Sequence, residues 1–254
     1  MPKLEFSKYK RFFAFGCSFT KYCWPTWADI VSKEMPDAEY FNCGLHGSGN
    51  QLISYRIAEA NTRYKFTDTD LVMVLWSTYF REDRWVNGKW LAHGNIYNQQ
   101  GDVYEESWIR KFTDPKGYLI RDLAIMEMTQ GYLKSLPCKS ICLNSVPVTY
   151  SEYKVNKKFD RTDDALVVYK ELIDNMHPTL IELEYNNIWE NDWEHDQHPT
   201  PLRYFNYLKK IGIELSDDTE KYALKKTEEL LNCKTLNEAF LLYRKEFNME
   251  NDLF

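Results

Sequence analysis

The chain has 254 residues, 44% of them hydrophobic, which is enough to bury one substantial core, so one domain across residues 1–254 is the starting expectation. A formal charge of −6 and a pI near 5.5 favour solubility and give no electrostatic match to a nucleic-acid backbone. No apolar run is long enough to span a bilayer, the opening Met1-Pro2-Lys3-Leu4-Glu5 lacks the apolar stretch of a secretory signal, and the six cysteines are too sparse for a disulfide framework; a soluble cytosolic protein with free thiols is expected.

In chain order, the apolar run Arg11-Phe12-Phe13-Ala14-Phe15 reads as a buried strand that stops at a small-residue turn, Gly16-Cys17-Ser18-Phe19-Thr20. Pro25 is expected in the first turn of a helix through Trp27, Ile30 and Val31. A short strand, Glu39 to Asn42, leads into the glycine-rich stretch Gly44 to Asn50 and a helix carrying Leu52, Ile53, Ile57 and Ala60. Asp70 to Trp76 is a near-continuous apolar run, as expected of a parallel strand covered on both faces. From Ser77 to about Asp114 no periodicity is evident, and the segment reads as an inserted loop region that forms a lid or binding surface. A helix from about Tyr118 to Leu136, a strand Ser140 to Asn144 and an irregular stretch to Arg161 follow. Asp163-Asp164 opens a helix through Leu172 and Ile173, a polar stretch reaches Asp196-Gln197-His198-Pro199, and Thr200-Pro201 begins another helix. Residues 213–254 form a helical appendage with patterns over Ser216 to Leu231 and Thr235 to Phe247, the second opened by a Thr235 and Glu238 capping box. The alternation implies a doubly wound α/β sandwich with a mainly parallel sheet and its site at the carboxyl ends of the strands.

A serine hydroxyl becomes a competent nucleophile when a histidine removes its proton and a carboxylate holds that histidine. Ser18 at a strand end, with Asp196 and His198 just before a helix, offers these three groups. Cys17 is an alternative nucleophile, although its side chain should alternate away from that of Ser18. His195, Asp196 and His198, with Asp192 and Glu194, carry ligand types that suit a transition metal, but one short segment rarely closes a coordination sphere. His46 reads as a polar loop residue.

In these blocks the chain resembles the SGNH (GDSL-like) hydrolase superfamily. Gly16-Cys17-Ser18-Phe19-Thr20 is similar to its nucleophile block, with Cys17 where Asp is usual; Asn42 through Gly47 resembles the block whose final glycine gives an oxyanion-hole N–H; Asp196-Gln197-His198-Pro199 resembles its last block. The resemblance spans roughly Arg11 to Gly212. It implies a serine esterase in which Ser18 attacks, His198 is the base, Asp196 orients it, the N–H groups of Ser18 and Gly47 hold the oxyanion, and no cofactor or metal takes part. At the third block, where the superfamily places Asn, this chain has Trp76-Ser77-Thr78-Tyr79-Phe80-Arg81, so Ser77, Thr78 and Asn50 are the candidate replacement donors. The same Ser-Thr-x-x-Arg pattern resembles uncharacterised members, some encoded by bacteriophages, for which association with a virion is an expectation.

Arg81 suits an anionic substrate group, and Trp24 and Trp85 are taken as substrate-facing aromatics. Trp90, Tyr97, Tyr104 and Trp108 either pave the same surface or anchor the loop on the core. The expected partner is a small-molecule or glycan ester, an O-acetylated carbohydrate first, with neither nucleic acid nor membrane as partner and the oligomeric state open. Acyl transfer to another sugar and carbohydrate binding without catalysis are the alternatives.

Overall fold

The computed structural model describes residues 4–97, 104–148, 164–176, 178–186, 192–243 and 253. Four strands form one sheet: β1 (Arg11–Phe15), β2 (Glu39–Asn42), β3 (Asp70–Trp76) and β6 (Lys139–Asn144), in the order β2-β1-β3-β6 and parallel throughout. Every side chain of β3 is buried. The strand is an unbroken apolar run because helices cover both sheet faces and alternate residues enter different cores.

On one face Phe12, Ala14, Leu71, Met73, Leu75 and Leu143 pack with α1 (Trp27–Ser32), α7 (Leu180–Tyr185), α8 (Pro201–Lys210) and Ala223 of α9 (Asp217–Leu231). On the other, Phe13, Phe15, Val72, Val74 and Trp76 pack with α2 (Asn50–Tyr64), α4 (Pro115–Ser135), α5 (Asp164–Val168) and α6 (Lys170–Met176). The result is the doubly wound three-layer sandwich expected from the strand and helix alternation. The chain leaves β1 for β2 on one side and returns to β3 on the other, so its order reverses between β1 and β3. In open α/β sheets ligands bind at such a reversal, in the crevice outside the carboxyl edge.

Several local expectations need correction. The first helix begins after Thr26, whose N–H donates to Asp29 Oδ2 at 2.8 Å, so Pro25 precedes the helix cap. The segment after Ser77 contains an antiparallel hairpin, β4 (Arg81–Val86) and β5 (Lys89–Asn95), followed by α3 (Glu106–Phe112). Its two-residue turn is Asn87-Gly88, both at positive φ (52° and 80°), the geometry that matches strand twist and favours this residue pair. The helix expected from about Tyr118 starts at Pro115, because Asp114 caps it by accepting from Lys116 N and Gly117 N. The helix expected from Asp163-Asp164 onward is interrupted at Tyr169, giving α5 and α6, and Asp163 lies outside the described residues. The irregular stretch expected up to Arg161 lies, from residue 149 onward, outside the described residues.

The tail packs into the body. Leu230 of α9, with Ala239 and Tyr243 of α10 (Leu236–Tyr243), joins Tyr22, Cys23, Trp24 and Trp193 in a third hydrophobic cluster. In the expected capping box, Glu238 N donates to Thr235 Oγ1 at 3.2 Å, whereas the Glu238 carboxylate accepts from Lys234 N, one residue earlier than the standard pairing. The pattern expected to reach Phe247 lies outside the described residues beyond Tyr243. Among the described residues no helix is long and apolar enough to cross a membrane.

Candidate active site

Ser18 follows β1 at the point where the chain turns sharply. Thr20 N and Lys21 N both donate to Cys17 O, at 2.9 and 3.2 Å, curling the backbone around the serine. Only glycine fits at position 16, where a Cβ would sit 2.0 Å from Thr20 Oγ1 and 2.8 Å from the Leu75 carbonyl oxygen. The turn is then stitched to the loop after β2: Leu45 N donates to Gly16 O at 3.0 Å, Ser48 Oγ to the same oxygen at 3.2 Å, and Asn42 Nδ2 to Thr20 O at 2.9 Å. The two sequence blocks thereby form one wall of the crevice.

The opposite wall comes from the segment ahead of α8. Asp192 accepts from Thr200 Oγ1, Tyr185 Oη and Arg203 Nε, fixing the entry to that helix. Fully buried Trp24 donates from Nε1 to Pro199 O at 3.0 Å. Between these anchors His198 is presented to Ser18: its Nε2 lies 2.8 Å from Ser18 Oγ, and its Nδ1 lies 2.6 Å from Asp196 Oδ1. Asp196 Oδ1 also accepts from His198 N at 2.7 Å, and Oδ2 accepts from the Tyr22 hydroxyl at 2.7 Å. Burial pushes the Asp196 carboxyl up, but the hydrogen bonds and charge of His198, with the phenol of Tyr22, outweigh it and leave the pKa below the ordinary carboxylate range. Asp196 is therefore an anion next to the imidazole at neutral pH.

Gly47 stands at φ +76°, and a Cβ there would meet the Ala92 carbonyl oxygen of β5 at 2.2 Å. The hairpin fixes this loop from outside: Gly94 N donates to Gly47 O at 3.0 Å, and buried Asp83 accepts from Gly49 N and Leu52 N, satisfying buried N–H groups at the start of α2 that have no partner within the helix. Among the described residues the N–H groups of Ser18 and Gly47 donate no hydrogen bond. Two such groups beside a Ser-His-Asp chain can hold the oxygen of a tetrahedral intermediate.

The other expected donors divide. Asn50 is not available: its Nδ2 donates to Ser77 O at 3.1 Å and to Asp122 Oδ2 at 2.9 Å, and its Oδ1 accepts from Ser77 N, so the amide ties α2 to β3 and α4. Thr78 Oγ1 accepts from Arg81 Nε at 3.0 Å. Ser77 Oγ is buried and has no hydrogen-bond partner among the described residues.

Arg81 also donates to Ser48 O at 2.9 Å, so two of its donors brace the glycine-rich loop. Trp24 cannot face a substrate, being fully buried with its indole N–H on the Pro199 carbonyl; its part is to hold the histidine segment. Trp85 is 49% exposed and lies on the hairpin edge-on to Trp90, at 5.6 Å and 79°, with Tyr55 5.8 Å beyond Trp90. Trp108 is stacked on Tyr104 at 4.7 Å, and Tyr97 packs edge-on to Phe80, so these rings anchor the segment locally.

Cys17 is buried in the core beside α1, away from the imidazole-bound face of Ser18. His195 Nε2 is 3.4 Å from Glu194, while His198 engages Ser18 and Asp196 with its two ring nitrogens, so the two histidines do not converge. Two residues matter more than the sequence suggested. Tyr22 touches both Asp196 and His198, and His46, at the rim, lies 6.2 Å from His198 with its pKa lowered by crowding from the surrounding protein, then by His198 and Arg81. Aromatic type alone could not distinguish Tyr22 from its neighbours.

No protein-family model and no curated protein sequence matches the chain. Among solved structures it is similar to a protein of the G-D-S-L family from Desulfitobacterium hafniense, at 14% identity and TM-score 0.40, covering 87% of this chain and 99% of that one. It is also similar to a member of the lipolytic protein G-D-S-L family from Veillonella parvula, at 13% identity and TM-score 0.32, covering 87% and 97%. An acetylxylan esterase from Geobacillus stearothermophilus, solved as a catalytic mutant, is similar at 11% identity and TM-score 0.35, covering 89% and 95%.

Proposed function

We propose that the chain is a serine esterase of the SGNH type that hydrolyses an O-acyl ester, an acetyl group on a carbohydrate in the first instance. The observation that carries this reading is the continuous hydrogen-bonded chain from Ser18 Oγ through the imidazole of His198 to Asp196, at 2.8 and 2.6 Å. In the proposed cycle His198 Nε2 takes the Ser18 proton as Oγ attacks the ester carbonyl, and the N–H groups of Ser18 and Gly47 receive the charge that develops on its oxygen. His198 then gives the proton to the leaving alcohol. Water, deprotonated by the same nitrogen, attacks the acyl-serine and restores the hydroxyl. Asp196 holds the imidazole and balances its transient positive charge.

The buried, unpartnered Ser77 hydroxyl is our choice for a third oxyanion donor in place of the usual asparagine. An acetyl group suits a nucleophile that is only 6% exposed, and the exposed rings of Trp85 and Tyr55 on and beside the hairpin are surfaces on which a sugar can stack.

A fluorophosphonate probe tests the reading directly, since a serine activated by this chain displaces fluoride from phosphorus and becomes covalently labelled. Labelling should appear on Ser18 and vanish in Ser18→Ala. A folded wild-type protein that takes up no label would end the esterase reading.

A further inference from the structure

The ring of Tyr22 lies face to face with the imidazole of His198, with centroids 3.8 Å apart and planes inclined by 17°. Its hydroxyl reaches past that ring to Asp196 Oδ2 at 2.7 Å. One side chain therefore touches both members of the acid and base pair. We propose that Tyr22 is a positioning residue for that pair, aligning the carboxylate through its hydroxyl and holding the imidazole, and favouring its charged form, through its ring. The inference rests on the esterase reading above.

Oδ1 of Asp196 already receives two donors from His198, the ring Nδ1 and the main-chain N–H. The Tyr22 hydroxyl is the described partner of Oδ2, and without it the carboxylate is free to swing about its Cβ–Cγ bond and misalign the Nδ1 bond. The imidazole has a similar freedom about its own Cβ–Cγ bond. Tyr22 blocks one face of it, while Phe19 and Trp24 meet it edge-on at 5.3 and 6.2 Å. During acyl transfer the imidazole becomes a cation, and an aromatic face at stacking distance attracts a cation.

Tyr22 is itself secured from behind. Trp24 packs edge-on against it at 4.5 Å, Phe240 of α10 lies 6.3 Å away, and the residue is 7% exposed. Burial first, then the hydrogen bond to Asp196, hold the phenol pKa far above its ordinary value, so the hydroxyl remains a donor wherever an esterase works. The other titratable groups facing this assembly are His46, 6.2 Å from His198, and Cys23, with Arg81 beyond His46.

The two contacts act on His198 in opposite directions, which separates them from a merely structural role. The hydroxyl withdraws charge from Asp196, so Tyr22→Phe should move the acid limb of the kcat/KM profile to higher pH while kcat falls about tenfold, the scale of losing one hydrogen bond to a charged group. Tyr22→Leu also removes the ring face, and its acid limb should lie at lower pH than that of Tyr22→Phe, with a further loss in kcat. Melting temperatures monitor folding, and Tyr22→Phe, which preserves the ring, carries the test alone if the leucine variant does not fold. Activity lost in Tyr22→Phe with the acid limb unmoved would overturn the proposal, as would unchanged kcat and limb. Failure of the wild type to label with fluorophosphonate would instead remove the esterase reading beneath it.

Discussion

The turn around Ser18 and the β4–β5 hairpin lie on the same edge of the sheet, yet they are held in different ways. Around Ser18, side chains from segments up to 180 residues apart meet among buried aromatic rings, with Asp196 bonded at both oxygens and His198 at both ring nitrogens. The hairpin is fixed at its base, where Asp83 and Gly94 engage the loop at Gly47 and Gly49, and it carries the exposed ring of Trp85 toward its tip. One region is closed by bonds on every side-chain polar atom of the Asp196 and His198 pair, whereas the other, beyond its base, offers exposed surface. On the esterase reading proposed above, reaction chemistry and substrate choice should therefore be separable by mutation.

The largest effects should come from the buried corner. Ser18→Ala and His198→Ala should reduce hydrolysis of a short aryl ester by about 10⁶-fold, with Asp196→Asn milder at about 10⁴-fold, since the carboxylate orients and stabilises without bonding to substrate. Steady-state kinetics with melting curves checks this, and a wild-type rate in Ser18→Ala would break the distinction at its root. At the hairpin, Trp85→Ala should lower kcat/KM on an acetylated polysaccharide about tenfold, in line with a loss of one stacking contact, and much less on aryl acetate. Arg81→Ala should lower both rates, because the bonds of Arg81 to Thr78 and Ser48 join the two regions. Equal losses on both esters would place it with the chemistry.

The smallest effect concerns stability beneath the hairpin. Burial, opposed by the charge of Arg121 and its hydrogen bond, pushes the Asp122 carboxyl up to about 6. An unfolded Asp titrates near 3.9, so between about pH 4 and 6 the folded chain retains a proton that the unfolded chain has lost. The contribution of Asp122 to stability is therefore greatest below that window and declines as pH rises through it. Melting temperature plotted against pH should have a more positive slope from pH 4 to 6 in Asp122→Asn than in the wild type.

Much of the architecture was legible because a parallel strand covered on both faces needs an unbroken apolar run, and Phe12 to Phe15 and Leu71 to Trp76 supply it. The grouping of Ser18 with Asp196 and His198 was legible through the resemblance of their blocks to the SGNH pattern, with which a strand-end serine and a histidine just before a helix at the carboxyl edge are consistent. The hairpin was not read from the sequence: Asn87-Gly88 carries a turn signal, but polar residues such as Arg81, Glu82 and Arg84 hide the strand pattern around it. Trp24, Tyr22 and Asn50 were not legible in this way. Their roles depend on which distant segment each one meets: Pro199, Asp196 with His198, and Ser77 with Asp122. Residue type fixes what a side chain can donate or stack upon, and only the topology decides where that capacity is directed.

The bond between Ser18 and His198 closes a span of 180 residues. Every strand pairing of the sheet also joins segments separated by an intervening helix or longer connection. Closing long loops carries an entropic penalty that must be met before the contacts reward it, which makes such chains slow to fold. No local piece of the chain can bring Ser18 to His198. On the esterase reading proposed above, reactivity at Ser18 is a property of the finished chain, and the rate at which fluorophosphonate labelling returns after dilution from denaturant should time the closing step of folding.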